Sequence, residues 1–205
     1  MQANDDQIFR IALLIVFATV FPVGVYHRLR SQATREPLDR RQEGLFILAT
    51  LRPLGLALLS GVIAYVINPA SMAWSSIPLP GWLRWAGVGV CVAGGALLIW
   101  TFRWLGKNLT DTVVTRREHT LVVDGPYRWV RHPFYGSVVL FVLGVSLIAT
   151  NWFFFVTGAL VVSLLIVRTR TEEEKLVARF GESYHEYMNR TGRFLPRVRQ
   201  NKPRV

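Results

Sequence analysis

Long apolar segments alternate with short polar ones along this chain. Five of them approach the ~20 helical residues that cross a hydrocarbon core of about 30 Å, and they predict helices over residues 8–26, 45–67, 83–105, 134–149 and 152–167. The last two come from one stretch, 133–167, that has no Asp, Glu, Lys or Arg. As a single helix it would be about 52 Å long, so it must fold back, and Thr150-Asn151-Trp152 is the polar break near its middle.

This pattern predicts an all-α integral membrane protein with five transmembrane helices, a C-terminal helical hairpin and a helical tail. The first segment has acidic Asp5 and Asp6 where a secretory signal has basic residues, and no small-x-small cleavage site follows it, so we interpret it as a span. The remaining polar segments are too short to fold alone. We therefore expect residues 1–205 to form a single membrane domain.

The positions of the charges predict the orientation in the membrane. The chain has 24 Lys and Arg, of which five lie within residues 27–44, six within 103–131 and ten from residue 168 onward. In a five-span protein these segments share one side, and the positive-inside rule makes that side cytoplasmic. We therefore expect the N-terminus outside and the tail in the cytoplasm, with the basic end near anionic lipid.

Composition excludes several other classes of protein. The chain is 51% apolar and 18% charged, with a mean hydropathy of +0.30. Its net charge of +11 is explained by topology, so we expect no nucleic acid. Cys91 is the single cysteine and the four histidines have no metal-ligand spacing, so we expect no metal. Gly87, Cys91 and Gly95 form a stripe of small residues for close helix packing, either within one chain or between two.

Special residues are densest between Gly125 and Ser137. Gly125-Pro126 indicates a turn, and Pro133 suits the first turn of the fourth helix. Free amide groups at that helix start would lie beside Arg131 and His132 and would favour a carboxylate or another anion. Arg, Trp and Tyr also collect at membrane boundaries as anchors, so the residues alone leave binding site and anchor equally open.

A second polar group follows the fifth apolar segment. Thr171 and Glu174 have the spacing of a capping box, which predicts a new helix start there. Desolvating carboxylates directly after an apolar helix costs free energy unless a cation is near. Arg131, Arg168, Arg170 or a cationic ligand could be that cation. Weaker candidates are Arg52, which either snorkels or has a function, and the polar residues Asn108, Thr110, Asp111 and Thr112.

These two segments, in this order, resemble the isoprenylcysteine carboxyl methyltransferase family. That family has Arg-His-Pro-x-Tyr-x-Gly, an apolar hairpin, Glu-Glu-x-x-Leu and a Phe-Gly-x-x-Tyr-x-x-Tyr tail. The matching residues here are Arg131 to Tyr135, the hairpin 134–167, Glu172 to Leu176, and Phe180 to Tyr187; the end, Arg190 to Pro196, is similar to small prokaryotic members. The resemblance covers roughly residues 105–197 and implies a prokaryotic inner membrane. Ser137 stands where the family has glycine. Despite this difference we expect the protein to bind the cofactor, whereas its choice of substrate stays open.

The resemblance implies methyl transfer from S-adenosylmethionine to a lipophilic acceptor that enters from the bilayer, with cofactor binding in residues 105–197. Carried over residue by residue, the implied catalytic residues are Arg131, His132 and Glu173. The implied cofactor contacts are Gly125, Tyr127, Arg131, His132, Pro133, Tyr135, Glu172 and Glu173. A carboxylate acceptor is already ionised and needs alignment more than a base, whereas an ammonium acceptor would first lose a proton, to Glu173 or His132.

Two other function classes remain open from the sequence. Sterol reductases that use NADPH look similar in their C-terminal half, but they have Asn where Phe134 stands, and Glu-Glu-x-x-Leu is closer to the methyltransferases. A non-catalytic membrane scaffold is the other class. The sequence leaves the identity of the acceptor open among a carboxylate, an amine and a thiol, and it leaves the oligomeric state open.

Overall fold

The computed structural model describes residues 2–32, 45–106 and 120–197, and regular structure within them is helical. The α-helices are α1 (Gln2–Gln32), α2 (Leu45–Ile67), α3 (Gly81–Leu105), α4 (Pro133–Ile148), α5 (Trp152–Phe180) and α6 (Glu182–Arg190), and short 3₁₀ helices cover Pro69–Ser75 and Gly125–Arg128. Only isolated bridges, and no strands, occur in these ranges. The predicted all-α class is confirmed.

Four of these helices are long and apolar enough to cross a membrane, over Asp6–His27, Ala49–Ile67, Gly81–Leu105 and Trp152–Phe180. The helix α4 is apolar but has only 16 residues, which is about 24 Å of helix and short of a full hydrocarbon core. The five-span count therefore stays a prediction.

The predicted end of α5 at residue 167 is wrong, and so is the helix start at Thr171. The helix α5 continues unbroken through the acidic residues to Phe180 and stops at Gly181, which has φ +55° and donates its N–H to Val177 O at 2.8 Å. Arg168 and Glu172 pair one turn apart at 3.0 Å, so the charged residues extend the helix. Glu172 and Glu173 are thus on the last turns of a long apolar helix.

The hairpin between α4 and α5 turns where the polar break predicted it. Asn151 caps α5 by accepting the N–H of Phe153 at 3.0 Å, and its side-chain amide donates to Met72 O at 3.0 Å. Thr150 has a φ of +48° in the turn, and its carbonyl accepts the N–H of Ile77 at 2.7 Å. The turn is therefore bound to the connection between α2 and α3.

Helices α3 and α4 approach closely because small residues face each other. A Cβ added to Gly144 would lie 2.5 Å from Cys91 Sγ, and one added to Gly87 would lie 2.7 Å from Leu147 Cβ. A Cβ on Gly95 would lie 2.7 Å from Val20 of α1. The small-residue stripe thus packs within one chain, and this packing fixes where α4 begins.

The bundle has two ends with different polar groups. At the end where α4 and α5 meet, Arg84 is buried, donates Nε–H to Ile148 O at 3.0 Å and pairs with Asp6 at 2.6 Å. We call this the hairpin end. At the opposite end α4 begins and α1, α3 and α5 finish; Phe102 of α3 stacks on Phe134 of α4 there. We call this the motif end.

All seven tryptophans are exposed and fall near one end or the other. Near the hairpin end are Trp74, Trp82, Trp85 and Trp152, and near the motif end are Trp100, Trp104 and Trp129. Exposed tryptophans collect at the two membrane–water boundaries. Glu173 lies 21 residues after Trp152, about 32 Å along α5, which is close to one hydrocarbon thickness.

Candidate active site

The segment before α4 begins with a turn that needs glycine. Gly125 has φ +62°, and a Cβ there would lie 2.4 Å from the indole ring of Trp104. The following 3₁₀ turn is held from α6, because the Tyr187 hydroxyl donates to Tyr127 O at 2.7 Å. Burial raises the pKa of Tyr187, so its phenol keeps the proton that it donates. The segment is thereby fixed against α3 on one side and α6 on the other.

The chain after α6 runs beside this segment and pairs with it. Arg131 N–H donates to Gly192 O at 2.9 Å, His132 N–H donates to Arg193 O at 3.1 Å, and Gly192 N–H donates to Trp129 O at 3.3 Å. Pro133 occupies the first turn of α4, as predicted. The backbone amides of Arg131 and His132 themselves donate to the tail, and the Tyr135 N–H in the first turn of α4 donates to His132 O at 3.2 Å. The anion site predicted at this helix start stays a prediction.

Glu173 is the centre of a buried charged cluster. The residue is 4% exposed. Its Oε1 accepts from Arg131 Nε at 2.8 Å and faces His132 Nε2 at 3.2 Å, and its Oε2 accepts from Arg193 Nη2. We call Arg131, His132, Glu173 and Arg193 the Glu173 hub. Three basic side chains from two segments far apart in sequence therefore satisfy one carboxylate inside the protein.

Arg131 also joins the hub to the end of α6. Its Nη1 donates to Met188 O at 3.2 Å and to Thr191 O at 2.5 Å. Thr191 is buried, and its hydroxyl donates to Tyr187 O at 2.6 Å. The guanidinium thus binds both the carboxylate of α5 and the free carbonyls of the α6 terminus, which favours a cation there.

Glu172 forms a second carboxylate group next to the hub. The Tyr135 hydroxyl lies 2.8 Å from its Oε1 and 2.7 Å from its Oε2, and Arg168 Nε lies 3.0 Å from Oε1. Its Oε2 is 3.7 Å from His132 Nδ1. The imidazole of His132 therefore lies between two carboxylates, with one ring nitrogen toward each.

An aromatic layer separates these polar groups from the apolar interior. The rings of His132 and Tyr135 are stacked, with centroids 5.4 Å apart and planes at 4°. Phe194 of the tail lies 5.9 Å from His132 and 6.5 Å from Tyr135, centroid to centroid. Tyr135 in turn packs with buried Val161 and Leu165 of α5. The site thus has one polar side and one apolar side.

Most of the residues proposed from the sequence come together here. A chain of contacts links Arg131, His132, Tyr135, Glu172 and Glu173, and Pro133 begins α4, the helix that carries Tyr135.

Two of the proposed residues lie outside this set of contacts. Tyr127 is close enough to the cluster that Glu172 affects it: burial first, then the charges of Tyr187 and Glu172, raise the pKa of Tyr127. Gly125 packs on Trp104 instead. Asn108, Thr110, Asp111, Thr112 and His119 lie outside the described residues.

Sequence reasoning did not assign Arg193, Phe194, Thr191 or Tyr187 to the site. Three of them, Thr191, Arg193 and Phe194, lie in the C-terminal run from Arg190 to Pro196, which has no helical period and reaches the site only by pairing with residues 129–132.

A cleft of about 580 Å³ opens beside the hub, lined by Arg131, the end of α6 and the tail to Arg197. This volume is within the range of small-molecule sites.

Comparison with known proteins finds relatives for this part of the chain. Residues 87–178 match the model of the isoprenylcysteine carboxyl methyltransferase family. The chain is 31% identical over 148 residues to protein-S-isoprenylcysteine O-methyltransferase of Rattus norvegicus, covering 70% of this chain and 51% of that protein. It is 27% identical to protein-S-isoprenylcysteine O-methyltransferase B of Arabidopsis thaliana, over 70% of this chain and 73% of that protein.

The fold is also similar to a solved structure of the eukaryotic intramembrane Ras methyltransferase, isoprenylcysteine carboxyl methyltransferase. The TM-score is 0.53 at 22% identity, over 88% of this chain and 66% of that one. The chain spans about half the length of the rat protein. The resemblance carried by the motifs is confirmed: residues 87–178 of this protein match the model of the isoprenylcysteine carboxyl methyltransferase family, and the chain is similar to protein-S-isoprenylcysteine O-methyltransferases.

Proposed function

We propose that this protein transfers a methyl group from S-adenosylmethionine to the carboxylate of a lipophilic, isoprenylcysteine-type acceptor. The observation that carries the proposal is the Glu173 hub: a largely buried set of charges that the family's two motifs and Arg193 of the tail build at one end of an apolar helical bundle. Charges in that position are expensive and mark functional sites. The family match supplies the reaction class.

The residues present suit this cofactor. S-adenosylmethionine carries a cationic sulfonium, an α-amino carboxylate, ribose hydroxyls and an adenine ring. Glu172 and Glu173 supply acceptors for hydroxyl or ammonium groups, Arg131 and Arg193 supply donors for a carboxylate, and Tyr127 and Tyr135 supply flat aromatic faces. The cleft beside the hub is large enough for a molecule of this size. Gly125 and Pro133 contribute by shaping the backbone around these side chains.

The cofactor supplies an activated methyl group, so the protein has to align the two reactants and exclude water. Arg131, His132 and Glu173 perform the alignment in our proposal, because Glu173 Oε1 holds both of the other side chains in place. A carboxylate acceptor needs no general base. Glu173 is poorly suited to be one, since hydrogen bonds already occupy both of its oxygens. This geometry favours a carboxylate acceptor over an ammonium one.

The acceptor reaches the site from the bilayer in this proposal, and the cofactor reaches it from the aqueous side. The aromatic layer of His132, Tyr135 and Phe194 marks the boundary between the two. The motif end faces the cytoplasm, the N-terminus lies outside, and the membrane is a prokaryotic inner membrane. The basic residues concentrated at the motif end support this orientation.

Methyl transfer to N-acetyl-S-farnesylcysteine in proteoliposomes tests the proposal. We expect radiolabel from S-adenosylmethionine to enter the lipid fraction and to be released as methanol by base, since a methyl ester is base-labile. The methyl ester of the same compound, which has no free carboxylate, should accept no label. Glu173→Gln should lose the activity. Its matched control is Glu174→Gln, which should keep the activity, because Glu174 is exposed and adjacent to Glu173. Label that resists base, or that enters both acceptors equally, would contradict carboxyl methylation.

A further inference from the structure

The cleft beside the hub is surrounded by more positive than negative charge. Three arginines line it, Arg131, Arg193 and Arg197, and none of the described residues that line it is acidic. Arg131 and Arg193 both pair with Glu173, whereas Arg197 donates to backbone carbonyls. Three guanidinium groups therefore have one carboxylate among them, and this excess of positive charge favours an anion in the cleft.

Arg197 marks the part of the cleft that such an anion can reach. The residue is exposed, and its Nη1 donates to Met188 O at 3.4 Å and to Asn189 O at the end of α6. Arg131 Nη1 donates to the same Met188 oxygen at 3.2 Å, so the two guanidinium groups converge on one carbonyl. An anion placed beside Arg197 reduces the repulsion between them.

The tryptophans near the tail indicate that Arg197 lies at the membrane boundary. Trp100 and Trp129 are exposed, and their rings pack edge to face with centroids 5.5 Å apart. Exposed tryptophans collect at the level of the lipid headgroups. Gly192 N–H donates to Trp129 O at 3.3 Å, and a Cβ added to Gly192 would lie 3.3 Å from Arg197 N. The tail thus turns back at this level, and Arg197 lies at the depth of lipid phosphates.

An apolar side chain lies beside this charge. Leu195 lines the same cleft and is 79% exposed. Covering it with an acyl chain is favourable, and neighbouring basic and apolar side chains are typical of surfaces that bind anionic lipid. A free phosphate ion would contact the arginines and leave Leu195 in water. The pair of Leu195 and Arg197 therefore favours a lipid over a free anion.

The residues that the proposed function gives to the cofactor do not form this part of the cleft. Glu172, Glu173, Tyr127 and Tyr135 are not among the residues that line it. The lining at Leu195 and Arg197 is therefore separate from the carboxylates and the aromatic layer. A lipid phosphate needs only this outer rim, and a ligand that lies against the hub leaves the rim open.

We propose that Leu195 and Arg197 form a docking site for a phospholipid with a net negative charge, in the leaflet at the motif end. The lipid phosphate accepts hydrogen bonds from Arg197, and an acyl chain covers Leu195. A zwitterionic lipid is a poorer ligand, because its ammonium group brings a positive charge to a cleft that already has an excess of them. This site lies outside the reaction and does not depend on the proposed function.

Native mass spectrometry of the detergent-purified protein, titrated with phosphatidylglycerol or phosphatidylcholine of the same acyl chains, tests the site. We expect the wild type to bind phosphatidylglycerol at least about tenfold more tightly than phosphatidylcholine, the value of one charge-assisted hydrogen bond. In Arg197→Gln this ratio of affinities should fall below about threefold. The ratio compares two lipids on one protein sample, so a general loss of stability does not change it.

Matched variants separate this site from a general attraction to basic residues. Arg170→Gln removes an exposed arginine of α5 that does not line the cleft, and it should keep the ratio within about twofold of the wild type. Leu195→Glu puts a carboxylate beside Arg197 at an exposed position, so it should reduce the ratio below about threefold even if Arg197→Gln does not fold. Ser183→Glu adds the same charge on the exposed face of α6 and should keep the ratio.

Three outcomes would overturn the docking site. The first is a wild type that binds the two lipids equally, and the second is an equal loss of the ratio in Arg197→Gln and Arg170→Gln. The third is displacement of phosphatidylglycerol by inorganic phosphate, but not by chloride at matched ionic strength, which would make this a site for free phosphate. None of the three bears on methyl transfer, which is tested by the base-labile radiolabel.

Discussion

Arg131 and Glu173 lie 42 residues apart in the chain, yet Arg131 Nε is 2.8 Å from Glu173 Oε1 in a buried ion pair. One residue precedes α4 and the other is near the end of α5, so the whole α4–α5 hairpin separates them in sequence and brings them together in space. The ion pair therefore depends on the fold-back at Thr150 and Asn151. Any change that shifts one arm of the hairpin along the other would separate the two charges.

Removing the charge of Glu173 should destabilise the protein as well as abolish binding. In Glu173→Gln, Arg131 and Arg193 lose their anionic partner, and Arg131 is too buried to find water. Leaving a buried charge unpaired costs about 3 kcal/mol, so we expect a decrease of that order in the free energy of unfolding, measured by chemical denaturation in detergent. Glu174→Gln, at the exposed neighbouring position, should change it by less than about 0.5 kcal/mol. Equal effects of the two substitutions would contradict the hub.

The hydroxyl of Tyr135 should affect cofactor binding only through its contact with Glu172. Tyr135→Phe keeps the ring stacked on His132 and removes the hydrogen bond that the hydroxyl donates between the two oxygens of the Glu172 carboxylate. Losing hydrogen bonds to a charged group costs about 1.5–3 kcal/mol, so we expect S-adenosylhomocysteine to bind about tenfold or more weakly by calorimetry. Wild-type affinity in this variant would show that Glu172 has no part in cofactor binding.

Ser137, which stands where the family has glycine, should have little effect on the affinity for the cofactor. Ser137 is buried, and its hydroxyl donates to Pro133 O in its own helix at 3.3 Å, which leaves it no donor for a ligand. We therefore expect Ser137→Gly to change the affinity for S-adenosylhomocysteine by less than about threefold, with a modest loss of stability because glycine weakens a helix interior. A tenfold change in affinity would place Ser137 in the site.

Glycine at position 125 should be required for packing as well as for conformation. Gly125→Ala combines a positive φ with a clash against the Trp104 ring at 2.4 Å. Gly181→Ala is the matched control, because Gly181 also has a positive φ, of +55°, but has open space around it. Both variants should lose the ~1 kcal/mol or more that a left-handed alanine costs, and Gly125→Ala should lose about 1–3 kcal/mol more. Thermal unfolding in detergent measures both, and equal losses would exclude the clash.

Arg84 at the hairpin end should support the fold but not the site. It binds the last carbonyl of α4, pairs with Asp6 and covers the ring of Phe9 at 4.0 Å. Arg84→Met should lower the free energy of unfolding by about 2 kcal/mol while the affinity for S-adenosylhomocysteine stays within about twofold, because the hub is at the other end of the bundle. A large loss of affinity in a folded variant would contradict this separation.

Sequence patterns predicted the helical class and the hairpin because these follow from hydrophobic length. Apolar segments too long for one crossing had to turn, and the polar break identified the turn at Asn151. The motif residues Arg131, His132, Glu172 and Glu173 were proposed from spacing and family resemblance. Their contacts with one another confirm that the two motifs meet at one end.

The errors have a physical cause in long-range pairing. The hydrophobic pattern predicted the end of α5 at residue 167 because charged residues follow. Arg168 and Glu172 instead pair along the helix, and the helix continues to Phe180. The amides of Arg131 and His132 bind a tail segment that lies 61 residues further along the chain, and local sequence patterns do not predict such a pairing. Arg193 was missed for the same reason, since only that pairing brings it to Glu173.

Calorimetric titration of the wild type, Glu173→Gln and Glu174→Gln with S-adenosylhomocysteine, beside NADPH, shows whether Glu173 belongs to a binding site for the methyl donor. We expect S-adenosylhomocysteine to bind the wild type and Glu174→Gln alike and to lose at least about 100-fold in affinity for Glu173→Gln, with no response to NADPH in any of the three. Binding of NADPH without binding of S-adenosylhomocysteine, or equal affinity of all three proteins for S-adenosylhomocysteine, would contradict a methyltransferase site built around Glu173.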